Sequence, residues 1–376
     1  MDTIKNITGS VVEGKNFFGR TKEIANALEL LEDGNSLILA APRRVGKTSF
    51  ARKMIEKVSE KGWNAYYIDL EKSPTEADFV KHFLKELKGE TWWEKFVPEQ
   101  LGVKIKDFSL EFKRQKQDVY RKIEKELPNE KDTLIVFDEL TVFFDNALKN
   151  EDGNLNDVRC LLDWLRGLRM TRNTKIRWIF CSSISIEHFA HKHNFSKTIN
   201  DFHRLKLDEL QEDEAKMLVK QLANSKNINF PAELIDYMLD KLAWNLPYYI
   251  QIYFSEISKL MVSDNTLSQK TIDEAYKNLL DTAYFYHWTE RLIYYENESR
   301  FAKIILNELS KAKNGKSKNK LYDLIFSELN DADKADEIFK PLLYLLETEG
   351  YIMNCDDKYS FRSPLLRDFW FNQFGK

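Results

Sequence analysis

Eight consecutive residues, Ala41-Pro42-Arg43-Arg44-Val45-Gly46-Lys47-Thr48, have the makeup of a loop that wraps phosphates, with Ala41 where such a pattern usually has its first glycine. The chemistry asks for a strand ending in a tight turn, backbone N–H groups facing the anion, and a helix N-terminus aimed at it. Gly46 lets the backbone approach closely. Lys47 is spaced to reach the β- and γ-phosphates of ATP, and the Thr48 hydroxyl to ligate Mg²⁺. Some 90 residues later, Thr133-Leu134-Ile135-Val136-Phe137 ends in Asp138-Glu139. An apolar strand there delivers two carboxylates at its C-terminal end, where parallel sheets bind their ligands. Asp138 is placed for the Mg²⁺ shell and Glu139 to polarise an attacking water, so the pair points to hydrolysis as well as binding. Taken alone, Asp-Glu after a strand would read equally well as a helix cap.

Both motifs need a sheet to position them. Ser36-Leu37-Ile38-Leu39-Ala40 reads as a buried strand followed by a helix from about Lys47 to Lys61. Asn64 to Leu70 is a second strand and Glu76 to Leu87 a helix; the Asp138 strand is third. Asp157 to Met170 is a helix, Ile176 to Cys181 a fourth strand, and His203 to Leu207 a fifth. Strands apolar almost throughout and separated by helices predict an α/β parallel sheet covered on both faces. Val103 to Phe112 breaks the alternation: its period of two predicts an edge strand or hairpin. From Asp213 to about Ala283 the pattern is helical, with segments at Glu214–Leu222, Pro231–Leu242, Pro247–Met261 and Thr271–Leu280. The remainder predicts helices at Arg300–Leu309, Lys320–Leu329 and Glu337–Glu347, then a hairpin turning at Asp356-Asp357-Lys358, the order of a winged helix-turn-helix.

Composition narrows the setting. The chain has 376 residues, 43% hydrophobic and 31% charged, with only 8 prolines and 13 glycines, which favours a mostly helical protein of two or three domains. A net charge of −3 provides no global basic field, so any nucleic-acid contact must be a local patch. Cys160, Cys181 and Cys355 are far apart, which argues against a disulfide framework or zinc ribbon and fits a reducing compartment. The start, Met1-Asp2-Thr3-Ile4-Lys5-Asn6, lacks the regions of a signal peptide, and no run approaches ~18 apolar residues. The expected location is the cytoplasm, with no membrane contact.

On these motifs the chain resembles the AAA+/STAND-related ATPases, in particular the "archaeal ATPase" families, over nearly its whole length. Phe17-Phe18-Gly19-Arg20-x-x-Glu23 is similar to their N-terminal box on the adenine side, and Pro42 to Ser49 to their phosphate loop. Ile179-Phe180-Cys181-Ser182-Ser183 is similar to the fourth strand, whose polar tip, here Ser182, senses the γ-phosphate. Asn245-Leu246-Pro247-Tyr248-Tyr249-Ile250 resembles the lid motif in which a proline packs on adenine, although Asn245 stands where the family usually has glycine. The resemblance implies an ATPase core, a helical lid and a winged helix, often acting as an oligomeric switch. It places Phe18, Arg20 and Pro247 beside adenine, and Ala41, Pro42, Arg43, Arg44, Val45, Gly46, Lys47, Thr48 and Ser49 around the phosphates. The corresponding division is 1–208 core, 209–285 lid and 286–376 winged helix.

Three lesser features have a plain and a sharper reading. His188, His191 and His193 have a spacing that suits no helix face with three ligands and read as a polar loop rather than a metal site. Arg166, Arg169 and Arg172 fall on one side of a helix, as a solvated face or as an arginine finger offered to a neighbouring subunit. The lysine-rich stretch Lys311 to Lys320 is a solubilising loop or a phosphate-backbone contact. Three functions follow: an ATP-driven switch that assembles or binds a protein partner, a DNA-associated ATPase of a mobile element or defence system, and a tight nucleotide binder that rarely hydrolyses. From Arg300 onward there are 13 basic and 12 acidic side chains, nearly neutral, which leans towards the switch.

Overall fold

The computed structural model describes residues 4–149, 154–171, 174–182, 185–263, 266–281 and 283–375. It forms two compact units, one of Arg20–Ala40 with Lys47–Leu207, the other of Met1–Gly19, Ala41–Gly46 and Asp208–Lys376.

The first unit is built on five parallel strands, β1 (Leu37–Ala40), β2 (Asn64–Asp69), β3 (Thr133–Asp138), β4 (Ile176–Phe180) and β5 (His203–Lys206). Their order is β2-β3-β4-β1-β5, so the strand that runs into the phosphate loop lies one strand away from the strand that carries the two acids. All six residues of β3 are buried, as expected for a central strand covered on both faces. At the edge, β5 buries only Leu205, because one flank and one face meet solvent. Helices Thr21–Glu32, Lys47–Glu60, Glu76–Lys88, Leu140–Lys149 and Leu155–Met170 alternate with the strands. In register, Tyr67 stands opposite Val136 and Asp69 opposite Asp138.

Residues 103–112 are not an edge strand. Ile105–Asp107 forms a 3₁₀ turn and Phe108–Arg114 an α-helix. The alternating pattern hid a helical one: Phe108 and Phe112, four apart, are buried, whereas Leu110 between them is 62% exposed. Phe108 meets Trp93 edge-on at 4.7 Å, and Phe112 meets Tyr120 at 5.7 Å. Tyr120 in turn stacks on Trp164 at 4.3 Å, which ties this helical insertion to the sheet's covering layer.

In the second unit, helices Glu212–Ser225, Ala232–Leu242, Pro247–Ser263 and Gln269–Leu280 lie where the periodicity predicts them. Beyond them come helices Ser299–Ser310, Lys318–Leu329 and Ala332–Thr348, with a short strand β6 (Lys316–Ser317) after the first. Strands β7 (Ile352–Cys355) and β8 (Lys358–Phe361) close an antiparallel sheet of order β6-β8-β7. Asp356 and Asp357, both at positive φ, make the two-residue turn between β7 and β8. The lysine-rich stretch is thus partly structured: Lys316 pairs with Glu308 at 2.7 Å, and Lys318 opens a helix. A final helix, Pro364–Phe374, was not expected from the sequence; it starts at a Ser363 cap and buries Leu365, Leu366, Phe369 and Trp370.

Candidate functional site

Asp138 is the last residue of β3, at the strand's buried C-terminal end. Asp138 is 3% exposed, and each of its carboxylate oxygens accepts two donors. Oδ2 accepts the Thr48 hydroxyl at 2.7 Å and the Tyr67 hydroxyl at 2.6 Å. Oδ1 accepts the Glu139 N–H at 3.0 Å and the Cys181 thiol at 3.1 Å. The link between Thr48 and Asp138 joins the two motifs that the sequence places 90 residues apart. Burial, reinforced by the charge of Asp138, raises both the Tyr67 phenol and the Cys181 thiol well above their ordinary values, so both are donors at neutral pH.

Glu139 follows at φ 56°, a left-handed backbone uncommon for a residue with a side chain. Strain of this kind gathers at functional positions. From there the carbonyl of Glu139 accepts the Phe143 N–H at 3.0 Å, and the helix Leu140–Lys149 begins. Ser182, at the tip of β4 and 5% exposed, donates to Glu139 Oε2 at 3.3 Å and accepts the Thr141 N–H. The structure therefore brings Thr48, Asp138, Glu139 and Ser182 together, and Lys47 opens the same helix as Thr48 with only 8% exposure. Ser49, next in that helix, is half-buried. Ser183 lies outside the described residues.

The loop itself, residues 41–46, packs in the second unit. Arg44 (φ 66°) and Gly46 (φ 97°) take left-handed conformations, and nothing would touch a side chain at Gly46, so the need there is backbone freedom. Pro42 and Val45 are buried. Gly350, at φ 87°, has no room for a side chain: a Cβ would lie 2.8 Å from Pro42 Cβ and 2.9 Å from Trp244. Arg44 sits 4.4 Å from the centre of the Tyr248 ring. Burial, with the charges of Arg44 and Arg43, pushes the nearby His287 imidazole down to about 2. Ala41 and Arg43 are half-buried.

Arg20, Phe18 and Pro247, expected on the adenine side, do not all belong to one unit. Arg20 is 2% exposed, at φ 61°, and pairs with Glu23 at 3.2 Å, so the Arg-x-x-Glu box is a local pair at the start of helix Thr21–Glu32. Phe18 and Pro247 are half-buried in the second unit, where Pro247 opens the helix Pro247–Ser263. One turn along that helix, Gln251 accepts the Ile7 N–H at 2.8 Å, which ties the N-terminal arm to it.

Two sequence readings need correction. His188 and His191 lie on a short helix, Ile186–Lys192, capped by Ser185, rather than in a loop, and the His193 ring packs on Phe189 at 4.5 Å. Among the described residues no group of three or more His, Cys, Asp or Glu side chains is placed to hold a metal. Arg169 is neither a solvated residue nor a free finger: 3% exposed, it binds both Asp201 oxygens (2.6 and 3.1 Å) and the Thr198 carbonyl (2.5 Å). Arg166 keeps 36% exposure, 3.9 Å from Asp201, and Arg172 lies outside the described residues. Arg169→Ala is expected to destabilise the protein by ~2–3 kcal/mol, below the ~3–5 of a fully buried pair because Asp201 keeps some solvent. Denaturant unfolding checks the loss; ATP turnover per folded molecule should stay at the parental rate, and a fall in turnover at unchanged stability would restore the finger reading.

Neither Tyr67 nor Cys181 receives a role in the site from the sequence, although Tyr67 lies in an expected strand and Cys181 ends another. The signal for Tyr67 was its parity: opposite Val136, it shares a face with Asp138 two residues on.

The oxygens of Thr48 and Asp138 suit a hard cation. A hydroxyl and a carboxylate are oxygen ligands of the kind Mg²⁺ takes, one or two from protein and the rest from phosphate and water. No described helix is long and apolar enough to cross a membrane.

No curated protein sequence matches the chain. Among solved structures, the Walker-type ATPase PABY2304 of Pyrococcus abyssi superposes with a TM-score of 0.65 at 16% identity, over 97% of this chain and 99% of that one. The ORC2 protein of Aeropyrum pernix, solved in ADPNP–ADP complexes, gives 0.54 at 12% identity, over 96% of each chain. These likenesses identify the fold as that of a P-loop, AAA+-like ATPase. Residues 17–250, well over half of the sequence, match the family of ATPase domains found predominantly in Archaea, and the chain belongs to that family.

Proposed function

We propose that this protein is a Mg²⁺-dependent ATPase that works as an AAA+/STAND-type switch, its ATP cycle moving a helical lid (209–285) and a winged-helix module (286–376) against a core (1–208). The observation that carries the reading is the 2.7 Å bond from Thr48 to Asp138, with Glu139 next in the chain and held by Ser182. Lys47 faces the β- and γ-phosphates, while backbone N–H groups of residues 41–49 wrap them. Thr48 and Asp138 would hold the Mg²⁺, which would neutralise phosphate charge when bound. Glu139 accepts a proton from the attacking water, Ser182 senses the γ-phosphate, and Phe18, Arg20 and Pro247 lie on the adenine side. The ADPNP–ADP complexes of the Aeropyrum pernix protein support an adenine nucleotide as ligand.

The partner is a protein, a second copy of this chain or another, met in the cytoplasm. The exposed side of helix Ala332–Thr348, which a DNA-binding winged helix would lay in the major groove, presents Asp333, Asp336 and Glu337 against Lys334 and Lys340. The turn between β7 and β8 adds the exposed Asp356 and Asp357. Phosphate backbones are repelled by such a surface. A second reading, a DNA-associated ATPase of a mobile element or defence system, draws on the exposed Lys311, Lys313, Lys318 and Lys320. Those lysines offer ~3–5 phosphate contacts, so DNA binding should be non-specific and fall ~10²-fold between 50 and 200 mM salt.

Light scattering with and without ATP, repeated with duplex DNA, separates the two. The expected result is a rise in mass with Mg·ATP and no stable DNA complex at near-physiological salt. Sub-micromolar, sequence-specific DNA binding at that salt would put the second reading first.

A further inference from the structure

Asp138 is held by four donors, and the one that no motif accounts for is Tyr67. An ionised carboxylate has about four acceptor positions. Here they are filled from four separate places in the chain: the start of the helix Lys47–Glu60, β2, the end of β3 and the end of β4. Tyr67 shares Oδ2 with Thr48, the oxygen turned towards the phosphate-loop helix. The tyrosine ring is itself clamped, because the Arg52 guanidinium lies 3.4 Å from its centre. Arg52 is one helical turn after Thr48, so the two side chains reach Tyr67 and Asp138 from the same face of one helix. Removing the phenol oxygen would leave Oδ2 with Thr48 as its single donor, so the carboxylate edge that faces the helix Lys47–Glu60 would be held less firmly.

We propose that Tyr67 is a positioning residue for the metal: it fixes the plane of the Asp138 carboxylate, which in turn accepts the Thr48 hydrogen bond and aims that hydroxyl's oxygen, its lone pairs still open, at Mg²⁺, and it acts through Asp138 without touching nucleotide. Residues behind a metal ligand orient it in this way, and losing one commonly costs 10–100-fold in metal affinity. The inference rests on Asp138 as the Mg²⁺ residue, and the parent protein tests that first. A plain structural role, a staple between β2 and β3, would lower stability without separating metal from nucleotide.

The experiment is isothermal titration of ADPNP into the full-length chain and into Tyr67→Phe across a series of free Mg²⁺ concentrations, with the thermal midpoint of each protein recorded without metal. For the parent, Mg²⁺ should tighten ADPNP binding. For Tyr67→Phe, the metal-free affinity should stay within about twofold, while the Mg²⁺ needed for half of the gain rises about tenfold. If that Mg²⁺ requirement is unchanged while the parent responds to Mg²⁺, the positioning role is wrong and the ATPase reading stands. If the parent itself shows no response to Mg²⁺, the metal reading fails and takes this one with it. Should Tyr67→Phe fail to fold, Arg52→Met frees the ring and leaves the hydroxyl in place; its Mg²⁺ requirement should rise less but in the same direction, and an unchanged value counts against the proposal.

Discussion

Lys47→Ala is expected to weaken ATP binding by ~10²-fold or more, about 2.7 kcal/mol, while the protein stays folded. Lys47 is the first residue of the helix Lys47–Glu60 and is 8% exposed, so its side chain is largely shielded from water. Charge-assisted contacts from such a position are about twice as strong as neutral ones, and an ATP triphosphate offers them at two phosphates. Alanine is a strong helix former, so the helix start should survive the change. Isothermal titration measures the affinity, and the thermal midpoint reports the fold. A folded variant with parental ATP affinity would sink the nucleotide assignment as a whole.

The parts of the fold legible in the sequence were those in which one physical demand dominates. A strand covered on both faces must be apolar throughout, which made β1, β3 and β4 readable to within a residue or two, as was the helix after β1, whereas the helices Leu140–Lys149 after β3 and Ile186–Lys192 after β4 were not read. The phosphate loop was legible because its residue types are rare in that order, and the Asp138-Glu139 pair because it ends an apolar strand some 90 residues after that loop. What was missed sits where two periodicities coincide or where a residue's role depends on a distant partner. Residues 103–112 satisfy a period of two by accident, and only the aromatic neighbours Trp93 and Tyr120 reveal that Phe108 and Phe112 are a helical pair.

Arg169 likewise looked like its two neighbours in a basic stripe, yet Asp201, 32 residues on, claims it as a buried partner. Tyr67 is the more telling case. Asn64 to Asp69 reads as an ordinary strand, and one of two adjacent tyrosines becomes part of the site only through parallel pairing with β3. Pairing of that kind is set by sheet order, which no local window contains. The helix Pro364–Phe374 has an apolar stretch too short and too uniform for a clear period, but its Ser363 cap and Pro364 at the first helical position were local signals that could have found it.

Glu139→Gln separates binding from chemistry, and it should cut turnover by ~10²-fold or more while ATP affinity stays within about threefold. The substitution is nearly isosteric. Its amide oxygen can accept the Ser182 hydroxyl that now binds Glu139 Oε2 at 3.3 Å, and the backbone at φ 56° is unaffected by a change at the end of the side chain. What glutamine cannot do is take a proton from water. Asp138, one residue earlier, offers no easy substitute, because both of its oxygens are already engaged, Oδ2 by Thr48 and Tyr67 and Oδ1 by the Glu139 N–H and Cys181. To act as a base it would have to give up donors that hold it against the helix Lys47–Glu60 and the tip of β4. Single-turnover phosphate release and ATP titration on the same preparation give the two numbers. A Glu139→Gln protein that turns over at the parental rate would move the base away from β3 altogether, whereas one that loses ATP binding along with turnover would make Glu139 a part of the nucleotide pocket and not its base.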